Sequence, residues 1–385
     1  MKLLHGIRVL DLTRLLPGPL LTLYLADLGA DVIKIEDTVQ GDYLRWMSVA
    51  GNGSTNLFES LNRDKKGMRL NLKMPEGIEA FKKLCRQADV VVEGFRPGVM
   101  DKLGVGYEAV RAVNPALVYC SLSGYGKDGP YAEKAGHDLN YIGVAGTLNV
   151  TGTADRPVIP GVQVGDIAGG SVTAFGAIML GLFHKQKTGK GLYLDISMVD
   201  GLIGFMAPYL PYLESGLTRG DMELTGSIPC YNVYTTKDGK FVTLGALEPK
   251  FWNRFLEMIG RMDLLDGQLA RGEEFKRVYH EVQEVVLTRT RQEWLDFFKG
   301  EDVCVEPVNA LEELLNDPHI QYRGMFDYVD TNNGKSLTIR NPFYGEDRSD
   351  DLKRAPRPGE HTNGILREAG YSDEQIEEFR KKGVI

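Results

Sequence analysis

The chain has 385 residues, of which 43% are hydrophobic, so it is long enough to bury a large core and to divide into more than one domain. A net charge of -8 argues against a surface that coats nucleic acid, although a local basic patch could still hold a phosphorylated ligand. The four cysteines lack CxxC spacing, which predicts neither a zinc site nor a disulfide framework and favours a reducing, cytoplasmic location.

The first part of the chain alternates strand-like and helix-like segments. Short apolar or β-branched runs predict strands, and stretches with helical periodicity separate them. In chain order the predicted elements are a strand at 7–11, a helix at 19–28, a strand at 31–36, a helix at 75–87, a strand within 88–95, a further helix, and a strand within 116–124. Alternation of this kind predicts an α/β fold with a Rossmann-like parallel sheet between helices.

The pattern changes in the second half of the chain. After a predicted buried helix at 171–186 and a strand at 192–198, two strand-like runs flank the turn residues Asp238 and Gly239, which predicts a β-hairpin. Amphipathic helices follow, as expected for a smaller α+β domain. We therefore divide the chain into a large domain at 1–205, a small domain at 206–325, and a tail at 326–385 that returns to the large domain.

No membrane segment is predicted. The N-terminus lacks the long apolar region of a signal peptide. The most apolar stretch, residues 172–183, is shorter than the roughly 18 to 20 residues that a membrane-spanning helix needs. We expect a soluble protein with no membrane partner and no nucleic-acid partner.

One glycine-rich segment invites a dinucleotide-binding interpretation. Residues 124–129, GYGKDG, match GxGxxG and follow a predicted strand. Pro130 comes next and no amphipathic helix begins there, while the first βα turn of the chain, TRLLPGPL, has a single glycine. NAD binding is therefore rejected, and the sequence also lacks the Walker A, HExxH and GxSxG motifs that would indicate an NTPase or a hydrolase.

Two cation-bearing segments suit a phosphorylated ligand. Residues 62–69, NRDKKGMR, include Arg63, and residues 94–98, GFRPG, place Arg96 in a turn after a predicted strand. Arginine and lysine donors beside open backbone are what the pyrophosphate and 3′-phosphate of coenzyme A require. Either segment taken alone is equally well explained as a solvated charged turn.

Together, seven sequence blocks resemble the family III CoA-transferases, also called the CaiB/BaiF family. The blocks are GIRVLDLTRLLPGPL, LADLGADVIKIE, LNRDKKGMRLNLK, EGFRPGVMDKLGVGYE, SGYGKDGPYAEKAGHD, TGKGLYLDISMVDG and PGEHT, in this order along the chain. The resemblance implies an interlocked, ring-like homodimer, with the active site between the large domain of one subunit and the small domain of the other. It also implies an acyl-CoA substrate, so that coenzyme A is part of the substrate and no separate cofactor or metal is expected.

Within the family, the chain is most similar to the alpha-methylacyl-CoA racemase branch, through AGHDLNY at 135–141, GDIAGG at 165–170 and GALEPKFW at 245–252. The resemblance implies that His137 and Asp166 are the catalytic acid/base groups and that Glu248 supports them. The predicted coenzyme A contacts are Arg63, from the cation-rich segment, and, by the resemblance, Leu72, Lys73, Gly94, Phe95, Arg96, Lys102 and the turn at 136–141 with Gly136, Asp138 and Tyr141.

The sequence departs from the family pattern at two positions. Racemases of the branch often have Arg at the position of Asp37, where it meets the adenosine part of coenzyme A, and transferases usually have Ser at the position of Gly67. Both departures concern the binding of the nucleotide part of coenzyme A and leave the predicted catalytic groups unchanged.

Inverting a stereocentre beside a thioester requires one acid/base group on each face of the α-carbon, and His137 and Asp166 suit these roles. The enolate oxygen needs donors, for which we expect backbone N–H groups of the GDIAGG turn, and Glu248 is expected to orient His137. The predicted activity is the racemisation of 2-methyl-branched acyl-CoA thioesters. The acyl chain itself stays open: bile-acid intermediates, pristanoyl-like chains and short or aryl-substituted acids all fit.

Asp166 also supports a second interpretation. In the transferases that the chain resembles, the aspartate at this position is a nucleophile that attacks the donor thioester and passes CoA to an acceptor acid. His137 and Glu248 favour the racemase, because a transferase needs no second base. A non-catalytic CoA-binding subunit is a third alternative, disfavoured because all three acidic and basic groups are present.

Overall fold

The computed structural model describes residues 2–47, 57–217, 219–331, 334–343 and 351–385. The strands, in chain order, are β1 (Arg8–Leu12), β2 (Asp31–Glu36), β3 (Lys66–Arg69), β4 (Val90–Glu93), β5 (Val118–Ser123), β6 (Tyr193–Ser197), β7 (Tyr231–Thr235), β8 (Phe241–Gly245), β9 (Val305–Pro307), β10 (Phe326–Thr331) and β11 (Gly334–Ile339).

The α-helices, also in chain order, are α1 (Pro17–Asp27), α2 (Leu57–Asn62), α3 (Pro75–Arg86), α4 (Val99–Lys102), α5 (Tyr107–Val113), α6 (Asp138–Val144), α7 (Thr173–Thr188), α8 (Met198–Phe205), α9 (Leu210–Ser215), α10 (Pro249–Ile259), α11 (Gly272–Val286), α12 (Arg291–Phe297), α13 (Pro318–Arg323), α14 (Thr362–Glu368) and α15 (Asp373–Lys382). A π-helix, Gly165–Val172, runs directly into α7.

The chain folds into two compact units. The first comprises residues 1–145, 162–205 and 319–385, and the second comprises residues 146–161 and 206–318. Residues 146–161, which the sequence boundaries assign to the large domain, therefore belong to the second unit.

The first unit is built on a six-stranded sheet in the order β3-β2-β1-β4-β5-β6, with every neighbouring pair parallel. The strands are buried on both faces, as their continuous apolar runs predict. The strand order reverses between β1 and β4, and this switch point is where a doubly wound sheet leaves a crevice for a ligand. The predicted α/β class is confirmed.

The C-terminal tail packs into the core of the first unit. Leu366 of α14 and Phe379 of α15 belong to the same apolar cluster as Met68 of β3 and Phe81 of α3. Amphipathic residues at helical spacing explain this placement, because each helix buries one apolar stripe against the sheet. The tail thus completes the side of the sheet that carries β3.

The second unit has an antiparallel sheet in the order β7-β8-β9, with α10, α11 and α12 packed on it. The β7–β8 hairpin turns at Asp238 and Gly239, where Gly239 has φ +71°. Its core is aromatic and includes Tyr234, Trp252 and Trp294, all buried. The predicted hairpin is confirmed.

One helix is longer than the sequence pattern predicts. The π-helix and α7 form a continuous helical segment, Gly165–Thr188, of 24 residues with a mean hydropathy of 1.5 over its most apolar window, of which 33% is buried. Among the described residues it is the one helix that is long and apolar enough to cross a membrane by length and composition alone. A single helix of this kind is weak evidence, since core helices of soluble proteins meet the same criteria.

Candidate active site

A cavity of about 490 Å³ opens at the carboxyl ends of β1, β4 and β5, beside the switch point of the parallel sheet. Three loops form it: residues 13–18 after β1, residues 94–97 after β4, and the chain from Leu122 to Tyr125 at the end of β5. The segment before and within α6 closes it, together with Asp166 and Met198. Ligands of doubly wound sheets bind at this place.

His137 and Asp166 both line this cavity, as a catalytic pair must. His137 is exposed and caps the N-terminus of α6, where its backbone N–H donates to Oδ1 of Asn140 at 3.0 Å. The segment predicted to be a turn at 136–141 is therefore the start of a helix. This fixed helix start presents the imidazole to the cavity.

Asp166 lies in the first turn of the π-helix, and its backbone N–H donates to Oδ1 of Asp138 at 2.9 Å. Burial, reinforced by the negative charge of Asp138, raises the pKa of the Asp166 carboxyl to about 7. A carboxyl with this pKa exchanges its proton readily at neutral pH, as a general acid/base must.

The glycine-rich block at 165–170 does not form the predicted turn. It is a π-helix, in which the N–H of Asp166 is bonded to Asp138 and the N–H of Ile167 donates to the carbonyl of Gln163 at 2.9 Å. These two N–H groups are not free to stabilise an enolate oxygen. The expectation that backbone N–H groups of this block bind the enolate oxygen is therefore wrong for Asp166 and Ile167.

Tyr141 packs between Gly124, at the end of β5, and Gly136, before α6. Its hydroxyl donates to the carbonyl of Gly136 at 2.5 Å, and burial, with a contribution from the charge of Asp166, raises its pKa to about 12. The ring lies against Gly124, where an added Cβ would be 2.3 Å from Cε1 of Tyr141. The first glycine of the GxGxxG segment is thus explained by this close approach and not by a dinucleotide.

Part of the predicted coenzyme A set lines the cavity. Gly94, Phe95 and Arg96 do so as the loop after β4, and Gly136 and Tyr141 do so on the opposite side. Asp138 accepts a hydrogen bond from the backbone N–H of Asp166 and is not among the residues that line the cavity. Three further predicted contacts, Leu72, Lys73 and Lys102, are not among the residues that line this cavity: Leu72 packs on the core of the first unit, and Lys73 and Lys102 are exposed.

Arg63 has a different role from the predicted one. Its side chain is 1% exposed and forms ion pairs with Asp27 and Asp64. The remaining donors bond to Oγ1 of Thr338 at 2.9 Å and the carbonyl of Ile339 at 3.0 Å, both in β11. All three side-chain nitrogens are thus committed to the fold, which excludes the predicted phosphate contact in this conformation.

Glu248 belongs to the second unit, where it is exposed and caps the N-terminus of α10. Its carbonyl accepts from the N–H groups of Phe251 at 3.0 Å and Trp252 at 3.3 Å. The cavity that holds His137 and Asp166 is lined by residues of the first unit. The expected contact between Glu248 and His137 stays a prediction.

The structure adds a site residue that the sequence motifs did not indicate. Arg14 lines the cavity, and its guanidinium lies 5.4 Å from the ring centroids of both Tyr43 and Phe95. It is held by Asp37, at 2.8 Å. Asp37 is therefore the partner of a cavity arginine, and the cation at this end of the site comes from the loop after β1 and not from position 37.

The second departure, Gly67, also has a structural reason. A Cβ at this position would lie 2.9 Å from the carbonyl of Arg357 and 2.9 Å from Cβ of Pro356. The tail passes over β3 here, and the N–H of Gly67 donates to Nδ1 of His361 at 3.1 Å. Serine would collide with the tail, so glycine belongs to the packing of the PGEHT block.

In the part of the chain that the structure describes, no group of three or more His, Cys, Asp or Glu side chains could hold a metal ion. The chemistry available at the cavity is that of an imidazole, a carboxyl near neutrality, and cations at the rim.

The fold and this cavity define an α/β protein with a histidine and a carboxyl of raised pKa at the switch point of its sheet, and comparison with known proteins gives the family. The model of CoA-transferase family III matches residues 4–362, and the chain belongs to that family. It is 33% identical to alpha-methylacyl-CoA racemase of Homo sapiens, over 99% of this chain and 97% of that protein. It is equally 33% identical to succinyl-CoA:glutarate CoA-transferase of Mus musculus, over 100% of this chain and 91% of that protein.

Solved structures agree with the fold. A CAIB/BAIF family protein from Brucella suis superposes with a TM-score of 0.79 at 31% identity, covering 95% of this chain and 99% of that chain. Rv3272 from M. tuberculosis superposes with a TM-score of 0.81 at 27% identity, with the same coverage. The chain is thus an enzyme of the family that contains both racemases and CoA-transferases.

Proposed function

We propose that this enzyme racemises the α-carbon of 2-methyl-branched acyl-CoA thioesters by proton transfer between two bases. One observation carries the proposal: His137 and Asp166 line one cavity, and the pKa of Asp166 is raised to about 7. One enantiomer loses its α-proton to Asp166 and the other to His137, and the partner group returns a proton from the opposite face. The intermediate is an enolate.

The pKa of Asp166 favours this role over nucleophilic attack. A general acid/base works best when its pKa lies near the working pH, because both protonation states are then populated. A carboxylate nucleophile attacks only in its ionised form, and a pKa of about 7 would leave about half of it protonated at neutral pH. Burial and Asp138 thus suit proton transfer better than acyl transfer.

Coenzyme A is proposed to lie across the loops after β1 and β4. Arg14, Arg96 and Lys134 line the cavity and supply cations for its phosphates. The thioester end then reaches His137 and Asp166.

CoA transfer between carboxylic acids is the second candidate, favoured by the equal identity to a succinyl-CoA:glutarate CoA-transferase. In this reaction Asp166 would attack the donor thioester and release CoA as thiolate, which would then attack the aspartyl carbonyl of the mixed anhydride, release the donor acid and leave an aspartyl-CoA thioester. The acceptor carboxylate would attack this thioester to form a second anhydride and release CoA again, and CoA would attack the acyl carbonyl to give the new acyl-CoA and free Asp166. His137 has no part in that sequence.

A homodimer is proposed as the working form. The first unit exposes large apolar side chains on α7 and α8, with Leu180 70%, Phe183 54% and Ile203 53% exposed. Exposed apolar patches of this kind mark surfaces that another chain covers. Light scattering after gel filtration tests the dimer, and a monomer at micromolar concentration would count against it.

The deciding experiment offers the enzyme one enantiomer of a 2-methylacyl-CoA in heavy water, with no acceptor acid. The racemase predicts deuterium at the α-carbon and loss of optical purity. The transferase predicts neither, but CoA transfer once a free acid is added, and an adduct at Asp166 that hydroxylamine traps. Trapping that adduct with unchanged stereochemistry would refute the racemase.

The variant Asp166→Asn sharpens the distinction. Racemisation should fall by the roughly 10² to 10⁴ that a positioned base contributes, while His137 still exchanges the proton of one enantiomer with solvent. An Asp166→Asn enzyme that keeps racemising would show that Asp166 is not one of the two bases.

A further inference from the structure

Four buried charged side chains lie directly beneath the loop after β1, and the chemistry proposed above uses none of them. They are Asp11 in β1, Lys34 in β2, Asp42 after β2, and Lys65 before β3, all of them almost fully buried. Lys34 pairs with Asp42 at 3.0 Å, and Lys65 pairs with Asp11 at 3.3 Å. We call these four residues the charge quartet.

The quartet holds the main chain of residues 13–19. Asp11 accepts from the N–H of Thr13 at 2.9 Å, and Lys34 donates to the carbonyl of Thr13 at 2.8 Å. Asp42 accepts from the N–H of Leu15 at 3.2 Å. Lys65 donates to the carbonyl of Pro19 at 2.9 Å. Each of the four charges therefore binds one main-chain group of this segment.

This segment forms one wall of the active-site cavity, lined by Thr13, Arg14, Leu15, Pro17 and Gly18. Leu15 has φ +63°, a left-handed conformation that a leucine rarely adopts. Such a conformation persists only where the surroundings impose it. The bond from Leu15 to Asp42 is one such constraint.

The wall is also linked to Asp166. The buried hydroxyl of Ser171 lies 2.7 Å from the carbonyl of Pro17 and 3.2 Å from the carbonyl of Asp166. A shift of the wall would therefore be passed through Ser171 to the first turn of the π-helix, where Asp166 is held.

Stability alone does not account for the quartet. Burying ion pairs is costly, and well-packed apolar side chains in their place are often equally or more stabilising. The cost shows in Lys65, where burial lowers the pKa of the ammonium to about 7 although Asp11 opposes this shift. Charges kept at such a cost, each bonded to the same loop, indicate a role in fixing that loop.

We propose that the charge quartet is a positioning device: it clamps the wall at residues 13–19 and, through Ser171, fixes Asp166 for catalysis. The inference rests on the proposed function, because Asp166 is taken as a reacting group. It holds for either proton transfer or acyl transfer at that carboxyl.

The test is the paired variant Lys34→Met with Asp42→Asn. It removes the ammonium from the Thr13 carbonyl, keeps the quartet's charges balanced, and keeps an amide oxygen for the N–H of Leu15. A misplacement of this kind should lower kcat about 10- to 100-fold with KM little changed. Hydrogen exchange measured by mass spectrometry should quicken at the amides of residues 13–18.

The matched control is Lys185→Met with Asp89→Asn. This pair is joined at 2.6 Å, and Asp89 likewise accepts from a main-chain N–H, that of Arg8 at 2.8 Å, but it precedes β4 at the opposite end of the sheet from the cavity. The same two substitutions there should leave kcat and the exchange of residues 13–18 unchanged. Equal effects in both variants would overturn the proposal.

A folded Lys34→Met/Asp42→Asn enzyme with wild-type kcat, or with unchanged hydrogen exchange at residues 13–18, also overturns the proposal.

If the double variant does not fold, Ser171→Ala is tested in its place. This change removes only the hydroxyl bridge and should lower kcat with KM unchanged. Wild-type turnover in Ser171→Ala would refute the link to Asp166. If wild-type protein shows neither racemisation nor CoA transfer, the proposed function fails, and exchange alone then decides whether the clamp exists.

Discussion

Replacing Asp138 by Asn should change the pH dependence of catalysis while leaving the fold in place. The carboxyl of Asp138 accepts the N–H of Asp166 at 2.9 Å, and the amide oxygen of Asn can accept the same bond. What the substitution removes is the negative charge beside Asp166. That charge is the second cause, after burial, of the raised Asp166 pKa.

The size of the effect follows from that order of causes. Because burial contributes more, less than half of the rise should disappear, and the pKa of Asp166 should fall by about one pH unit from its value near 7. The acid limb of the pH profile of kcat/KM reports the free enzyme and should move to lower pH by a similar amount. The shift of the limb between the two enzymes, and not its absolute position, is the test.

The measurement is initial racemisation or transfer rate from about pH 5 to pH 9, with wild-type enzyme and an Asp373→Asn control. Asp373 is exposed and pairs with Arg367 in the tail, so its charge should not reach the cavity. An acid limb that stays in place in Asp138→Asn, with rates otherwise intact, would refute the electrostatic coupling between the two carboxyls.

Three further predictions rest on single contacts. Asp166→Asn should stabilise the fold by up to about 4 kcal/mol above pH 7 and by nothing near pH 3, because a folded-state pKa raised from 3.8 to about 7 costs about 1.4 kcal/mol of stability per pH unit as pH rises through that window; urea unfolding at the two pH values tests this. Arg96→Ala should raise KM for the CoA ester and spare kcat in steady-state kinetics, since a remote phosphate contact gives uniform binding. Gly124→Ala should lower the melting temperature, because its Cβ would lie 2.3 Å from the Tyr141 ring, and a Tyr141→Leu background should relieve part of the loss.

The parallel sheet could be predicted from the sequence because its strands are buried on both faces and read as short apolar runs, such as VVVE in β4. Helix α3 likewise begins at Pro75 and ends at Arg86 where its amphipathic pattern does. The π-helix could not be predicted, since GDIAGG reads by composition as a turn. The π-helix packs against α1 and α8. Its helical form depends on this tertiary packing, which the local sequence does not reveal.

The proposed reacting groups of the candidate site could be predicted from the sequence, but the residues that hold them in place could not. His137 and Asp166 follow from the resemblance, whereas the coupling of Asp166 to Asp138 joins residues 28 apart in sequence. The charge quartet left a visible signal, because Asp11 and Lys34 each stand between apolar residues in a strand. A charged side chain inside a buried strand must be paired with another polar or charged group. This rule predicts that Asp11 and Lys34 have partners, but it does not identify those partners.

An aspartate can serve proton transfer or nucleophilic attack according to its surroundings. Burial and Asp138 hold the carboxyl of Asp166 near neutrality, while Ser171 and the wall at residues 13–19 fix the turn that carries it. An aspartate with the pKa usual for its type would be almost wholly ionised at pH 7 and so a better nucleophile and a poorer acid. In this chain Asp138 is therefore the first residue to replace when proton transfer is tested against nucleophilic attack at Asp166.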